Sequence, residues 1–158
     1  MSVVNVADRI LDNLGTMTTM RLQKLTYYAQ AHSLASTNKT LFDENFEAWK
    51  NGPVSIELLN RYRDKIVIHK GCLILSLNER ENPLNQDQID LIDEVCDILK
   101  DCSGFDLYKR VTKETPWRIA RIPYREDQFC EEIILNGYIR TFYTYNPVVP
   151  DKRKRTRH

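Results

Sequence analysis

The chain has 158 residues, 42% of them hydrophobic and 28% charged, with a formal net charge of +1; this suits one domain that buries its own core without staples. No charged, apolar, small-residue leader opens it and no apolar run has membrane-spanning length, which predicts a cytoplasmic protein with no membrane partner. Cys72, Cys96, Cys102 and Cys130 are spaced too widely for a metal knuckle and read as reduced thiols rather than as a disulfide framework.

In chain order, Asn5 is suited to cap a first helix ending at Leu14, with Ala7, Ile10 and Leu14 on one face and Gly15 as the left-handed stop. The stretch Met17 to Ala35 organises the rest. Leu22, Leu25, Ala29 and His32 recur at helical spacing, and Met20, Tyr27, Ala31 and Leu34 form a second stripe, so the helix is apolar round most of its circumference. Such a helix lies in the middle of a domain, with Thr18 as its N-cap. Phe46 to Lys50 alternates as a short strand before the turn-forming Asn51-Gly52-Pro53. Ser55 caps a helix to about Asp64, with Ile56, Leu59 and Tyr62 inward, and the β-branched run Ile66 to Leu75 around Gly71 predicts a small hairpin beside the Trp49 strand.

Further on, Leu84-Asn85 with Gln88 and Ile89 carries a capping box and a hydrophobic staple, followed by the face Ile89, Ile92, Cys96 and Leu99. Ser103 with Asp106 starts another helix through Leu107, Tyr108 and Val111, and Pro116 suits the first position of a further short one. After Ile122-Pro123 a last helix is predicted from Glu126 to Tyr143, with Asn136-Gly137 as a bend or early stop. The expected fold is therefore mainly α, a compact single-domain bundle of about six or seven helices with a small β-hairpin or strand element. Residues 1–145 form the domain and 146–158 a basic tail. Asp151 to His158 holds five Lys or Arg and one Asp, a local +4 that leaves about −3 for the rest.

Convergent catalytic groups are scarce. The chain has no Gly-x-x-x-x-Gly-Lys loop, no Gly-x-Gly-x-x-Gly, no Gly-x-Ser-x-Gly and only five glycines, so neither a phosphate cradle nor a nucleophile elbow is indicated. His32, His69 and His158 have no ligand partner at metal spacing, which predicts no metal and no cofactor. The acidic run Asp87 to Asp101 reads as the solvated face of a helix. Trp49 and Trp117 suit a core, but tryptophan also dominates binding hot spots, and Lys50 and Asn51 after Trp49 would place its rim in the open. Lys24 and Gln30 either close the polar edge of the central helix or find buried partners, Glu47 or Glu114 for the lysine.

Leu22-Gln-Lys-Leu-Thr-Tyr-Tyr-Ala-Gln30, Glu47-Ala-Trp-Lys-Asn-Gly-Pro-Val54 and Glu114-Thr-Pro-Trp117, in this order, resemble the Panacea family of SocA-type antitoxins and phage-associated proteins. The resemblance implies a mostly helical antitoxin that meets a protein toxin by direct contact, the toxins of the family being diverse and several of them attacking translation. One family branch resembles an adaptor that delivers its toxin to a Clp-type protease. Carried onto this chain, the motifs nominate Lys24, Tyr27, Gln30, Trp49, Lys50, Asn51 and Trp117 as partner-binding residues and nominate no catalytic residue. At Thr112 the chain departs from the family pattern, which often has His there. The rival reading is a nucleic-acid-binding regulator using the basic tail, against which the near-neutral body counts; an enzyme acting on the toxin or its substrate is a third.

Overall fold

The computed structural model describes residues 2–74 and 84–150. Among these, seven helices and five short strands follow in chain order: α1 (Val3–Leu14), β1 (Met17–Thr18), α2 (Thr19–Thr37), β2 (Phe46–Trp49), β3 (Gly52–Val54), α3 (Ile56–Tyr62), β4 (Val67–Ile68), α4 (Gln86–Leu99), α5 (Gly104–Val111), α6 (Thr115–Ala120), β5 (Ile133–Ile134) and α7 (Asn136–Tyr145). The mainly helical single domain expected from the periodicity is what forms. The basic run from Asp151 and residue Leu75 of the expected hairpin lie outside the described residues.

Helix α2 is the hub. It packs against α1, α4, α5, α7 and β3, and Leu22, Leu25, Tyr27, Tyr28, Ala29 and Ala31 on successive sides of it have no exposed surface. Thr18 caps it, its hydroxyl accepting from the Arg21 N–H, and Asn38 ends it in the left-handed conformation at φ 60°. Met20, expected in an apolar stripe, stays 44% exposed in the first turn.

The capping boxes at Asn85 with Gln88 and at Ser103 with Asp106 form as their spacing predicts. The first helix differs. It begins at Val3 rather than after Asn5, because burying Val3 and Val4 draws its start forward, and Asn5 instead accepts from the N–H and hydroxyl of Ser2. Gly15 ends it with φ 80° and ψ −164°, an extended glycine-only conformation rather than a left-handed turn, while its N–H donates to Leu11 O. In α3 it is Leu58 and Tyr62 that are buried, with Ile56 and Leu59 half-buried. Pro116 occupies the second position of α6, since Glu114 is the N-cap residue.

Two small antiparallel sheets tie the helices. β4 pairs with β1, Met17 opposite Ile68, so the Ile66 segment does not lie beside the Trp49 strand. β2 is instead flanked by β3, joined through the Lys50-Asn51 turn, and by β5. That last pairing overturns the expected helix from Glu126: Phe46 faces Ile134 and Glu47 faces Ile133 across β2 and β5, and Asn136-Gly137 opens α7 rather than bending a longer one. Chain beyond α7 still packs on the core, with Val148 buried.

Because Leu25 has no surface at all, Leu25→Asp would bury an unpaired carboxylate in the hub and cost at least about 3 kcal/mol. Circular dichroism should show loss of helical signal or a collapsed thermal midpoint; an unchanged melt would refute the central placement of α2.

Candidate functional site

The β2–β3 hairpin, α6 and the loop after it build one face of the molecule. Trp49 is half-buried, its indole N–H donating to Glu47 Oε1 at 3.0 Å and its ring meeting Phe129 edge-on at 5.3 Å. Trp117 is buried below it and donates from its indole to the Trp49 carbonyl at 2.8 Å. Lys50 and Asn51 are exposed at the hairpin tip. Arg121, buried at the end of α6, holds the face together: its guanidinium lies 5.1 Å over the Trp117 ring and donates to the Ala48 carbonyl at 2.7 Å and to the carbonyls of Arg125, Glu126 and Gln128. One side chain thereby gives the irregular loop a fixed course against β2.

Next to Trp117 lies a cavity of about 600 Å³, with Thr112, Lys113, Arg118, Arg121, Ile122 and Tyr124 in its walls. A second hollow of about 240 Å³ shares Ile119 and Ile122 with it and continues to Ile133, Leu135 and Tyr138. Their apolar edge is open, with Ile122 73% exposed, Leu135 56% and Tyr138 46%, and Phe129, against Trp49, is 59% exposed. Thr112, where the family pattern often has His, is at the cavity wall and spends its hydroxyl on the Tyr108 carbonyl at 2.8 Å.

Behind this face, Tyr28 and Tyr143 both donate to Glu114 Oε1, the latter at 3.0 Å, and the Tyr27 hydroxyl is 3.2 Å from that of Tyr143. Since Tyr143 gives its proton to Glu114, Tyr27 supplies the proton of the remaining bond. Arg110 completes the cluster, 3.6 Å from Glu114 Oε2 and 4.8 Å over the Tyr28 ring. Burial first, and the Glu114 charge as a further cause, raise the pKa of Tyr27, Tyr28 and Tyr143 above the ordinary phenol value, so all three stay protonated donors. The cluster bolts α7 and the start of α6 to α2.

Residues 22–118 match the family described as antitoxin SocA-like, Panacea domain, which is 97 of the 158 residues and more than half of the chain. The chain belongs to this family. No curated protein and no solved structure matches it. The matched segment of the Panacea domain supplies α2, the hairpin, Glu114 and Trp117, while Arg121, β5 and α7 lie beyond it.

The nominated residues divide by depth. Trp49, Lys50 and Asn51 present surface, and Trp117 backs the cavity. Tyr27 and Gln30 are enclosed; Gln30 accepts from the Leu41 N–H at 2.7 Å and donates to Phe42 O at 2.9 Å, so its amide is committed to the fold. Among the described residues Lys24 does not pair with an acid. Glu47 is held by Trp49, Glu114 by two tyrosines and Arg110, and the Lys24 ammonium has a 3.4 Å bond to Met20 O on its own helix. Tyr28, Tyr143, Arg110 and Arg121 were not nominated. Adjacent tyrosines on a helix buried all round do signal hydroxyls in need of acceptors; nothing local marks Arg121. Among the described residues no group of His, Cys, Asp or Glu is arranged to hold a metal ion, and burial pushes the Cys96 thiol up to about 12.

Burial lowers the Lys24 ammonium from its ordinary value to about 8. The charged form is thus penalised in the folded state fully below pH 8, and the penalty fades as pH rises to the unfolded value near 10.5. Lys24→Met keeps the apolar stem without the charge. It should stabilise the domain at pH 7 by up to about 3 kcal/mol, with the gap between variant and wild type closing towards pH 10 in paired thermal melts.

Proposed function

We propose that this Panacea domain is a cytoplasmic antitoxin that neutralises a cognate protein toxin by direct binding, seating the toxin on the Trp49–Phe129 edge and the adjoining groove so that its active site or substrate path is covered. Family membership supports the antitoxin role in general. The observation that carries the docking face is the pair of open hollows joined at Ile119 and Ile122, with three large apolar side chains, Ile122, Leu135 and Tyr138, about half exposed or more along them; contiguous apolar surface of this kind marks protein contact sites. Lys113, Arg118 and Arg121 in the walls outnumber Glu126 and Glu132, which favours an acidic toxin surface. A binding mode rather than catalysis agrees with polar groups whose hydrogen bonds are spent on the fold itself, Glu114 and Arg121 above all.

The test is titration of a purified toxin, identified as one whose growth arrest this chain relieves on co-expression. Toxin activity should reach its end point near equal amounts and return fully when the complex is dissociated. Ile122→Asp and Leu135→Asp, both on the open rim, should each weaken binding by roughly tenfold or more without moving the thermal midpoint. Inhibition at strongly substoichiometric doses that persists after the domain is removed would establish catalysis instead.

A further inference from the structure

Lys24 is 3% exposed, yet among the described residues no carboxylate meets it, and one backbone carbonyl at 3.4 Å takes one of its three protons. Its position is defined by the hairpin tip. A Cβ on Gly52 would stand 3.0 Å from Lys24 Cε and 3.5 Å from its Nζ, and 3.2 Å from Val111 on α5, so the absent side chain of Gly52, at φ +115°, is what leaves space for the ammonium beneath the exposed Lys50-Asn51 turn. The acids on the surrounding elements are committed: Glu47 on β2 to the Trp49 indole, Asp106 on α5 to the Ser103 cap, and Glu114 to Tyr28, Tyr143 and Arg110. The other charges on those elements, Arg21 on α2, Lys50 in the turn and Lys109 and Arg110 on α5, are all positive.

A buried ammonium with spare donors is costly for the isolated chain, and an incoming carboxylate removes that cost. We propose that Lys24, under the Lys50–Gly52 turn, is a receptor for one Asp or Glu side chain of the bound toxin. This rests on the antitoxin reading and adds to it: the apolar groove supplies area, while the lysine selects a toxin that presents an acid beside the hairpin tip. Charge complementarity is then strongest where water is excluded. A salt-bridged Lys24 also takes up a proton on binding at alkaline pH, because burial alone holds the free ammonium near 8 and the carboxylate restores its basicity.

Two measurements test this, and the first needs no toxin. Sodium acetate titrated into the full-length protein, against sodium chloride at matched ionic strength, is followed at the Lys24 side-chain Cε resonance, recognised by its low pH midpoint and by its absence from Lys24→Met. A saturable acetate-specific shift at millimolar concentration, with the Lys24 midpoint moving upward from about 8, is expected; identical responses to acetate and chloride overturn the receptor. The second compares toxin affinity: Lys24→Met, which keeps the groove, should bind roughly thirtyfold more weakly, and wild-type affinity should fall as pH rises above 8 while that of Lys24→Met stays flatter. Wild-type and Lys24→Met domains that bind a toxin equally would refute the receptor and leave the antitoxin reading standing. A wild-type domain that relieves no toxin would refute that reading, with the acetate titration still deciding whether Lys24 takes a carboxylate.

Discussion

The structure depends on satisfying the polar groups of a helix that is buried on every side. Gln23 and Gln30 stand seven residues apart on α2, and each uses both ends of its amide on distant chain. Gln23 accepts from the Ser55 N–H and donates to the Ser55 carbonyl and the Tyr62 hydroxyl. Gln30 does the same for Leu41 and Phe42. Thr26 and Ser33 return their hydroxyls to the Leu22 and Lys39 carbonyls. An amide left unpaired at this depth costs about 1–3 kcal/mol, so the loops carrying β2 and α3 are held where the glutamines need them. The hairpin that bears Trp49 is therefore positioned from below, by backbone hydrogen bonds to α2, before any partner is present.

A second set of bonds works from the other direction. The phenols of Tyr28 and Tyr143 converge on Glu114, and Trp117 and Arg121, three and seven residues further on, reach back to the carbonyls of Trp49 and Ala48. The motif Glu114-Thr-Pro-Trp117 thus joins three layers: the carboxylate faces α2 and α7, the proline lies in the first turn of α6, and the indole supports the hairpin. Since Thr115 and Trp117 of this motif line the larger cavity and Pro116 the smaller one, the groove is a consequence of how the core is locked. The exposed side chains on its rim are free to differ without disturbing that lock.

What the sequence made legible follows from the range of each interaction. Thr18, Ser55, Asn85 and Ser103 cap helices through bonds within three residues, and their helices were readable. Ile133-Ile134 forms a strand because Phe46-Glu47 is across from it, nearly ninety residues away in sequence, and local signals alone therefore point to helix from Glu126. Ser2 and Asn5 show the same limit at short range: either polar residue can begin α1, and the burial of Val3 and Val4 decides. Of the candidate site, the hairpin residues and Trp117 were legible from motif and turn chemistry. Tyr143 and Arg121 were not, because their function is to meet groups that only the fold brings near.

Lys24 shows how the two levels combine. On the helical wheel it is a cation on a largely apolar helix, and an acidic partner is the obvious requirement. The structure supplies two acids of the right charge and gives both to other donors. Relocating either to the lysine would strip the Trp49 indole of its acceptor or unbolt Tyr28 and Tyr143 from Glu114, and each such loss carries the penalty of a buried unsatisfied group. The fold therefore favours leaving the ammonium short of partners over breaking either arrangement. On the receptor role proposed for it, a charge retained at that cost, beneath a turn whose glycine leaves space for it, returns more to a partner's carboxylate than the solvated Lys50 two residues from that glycine would.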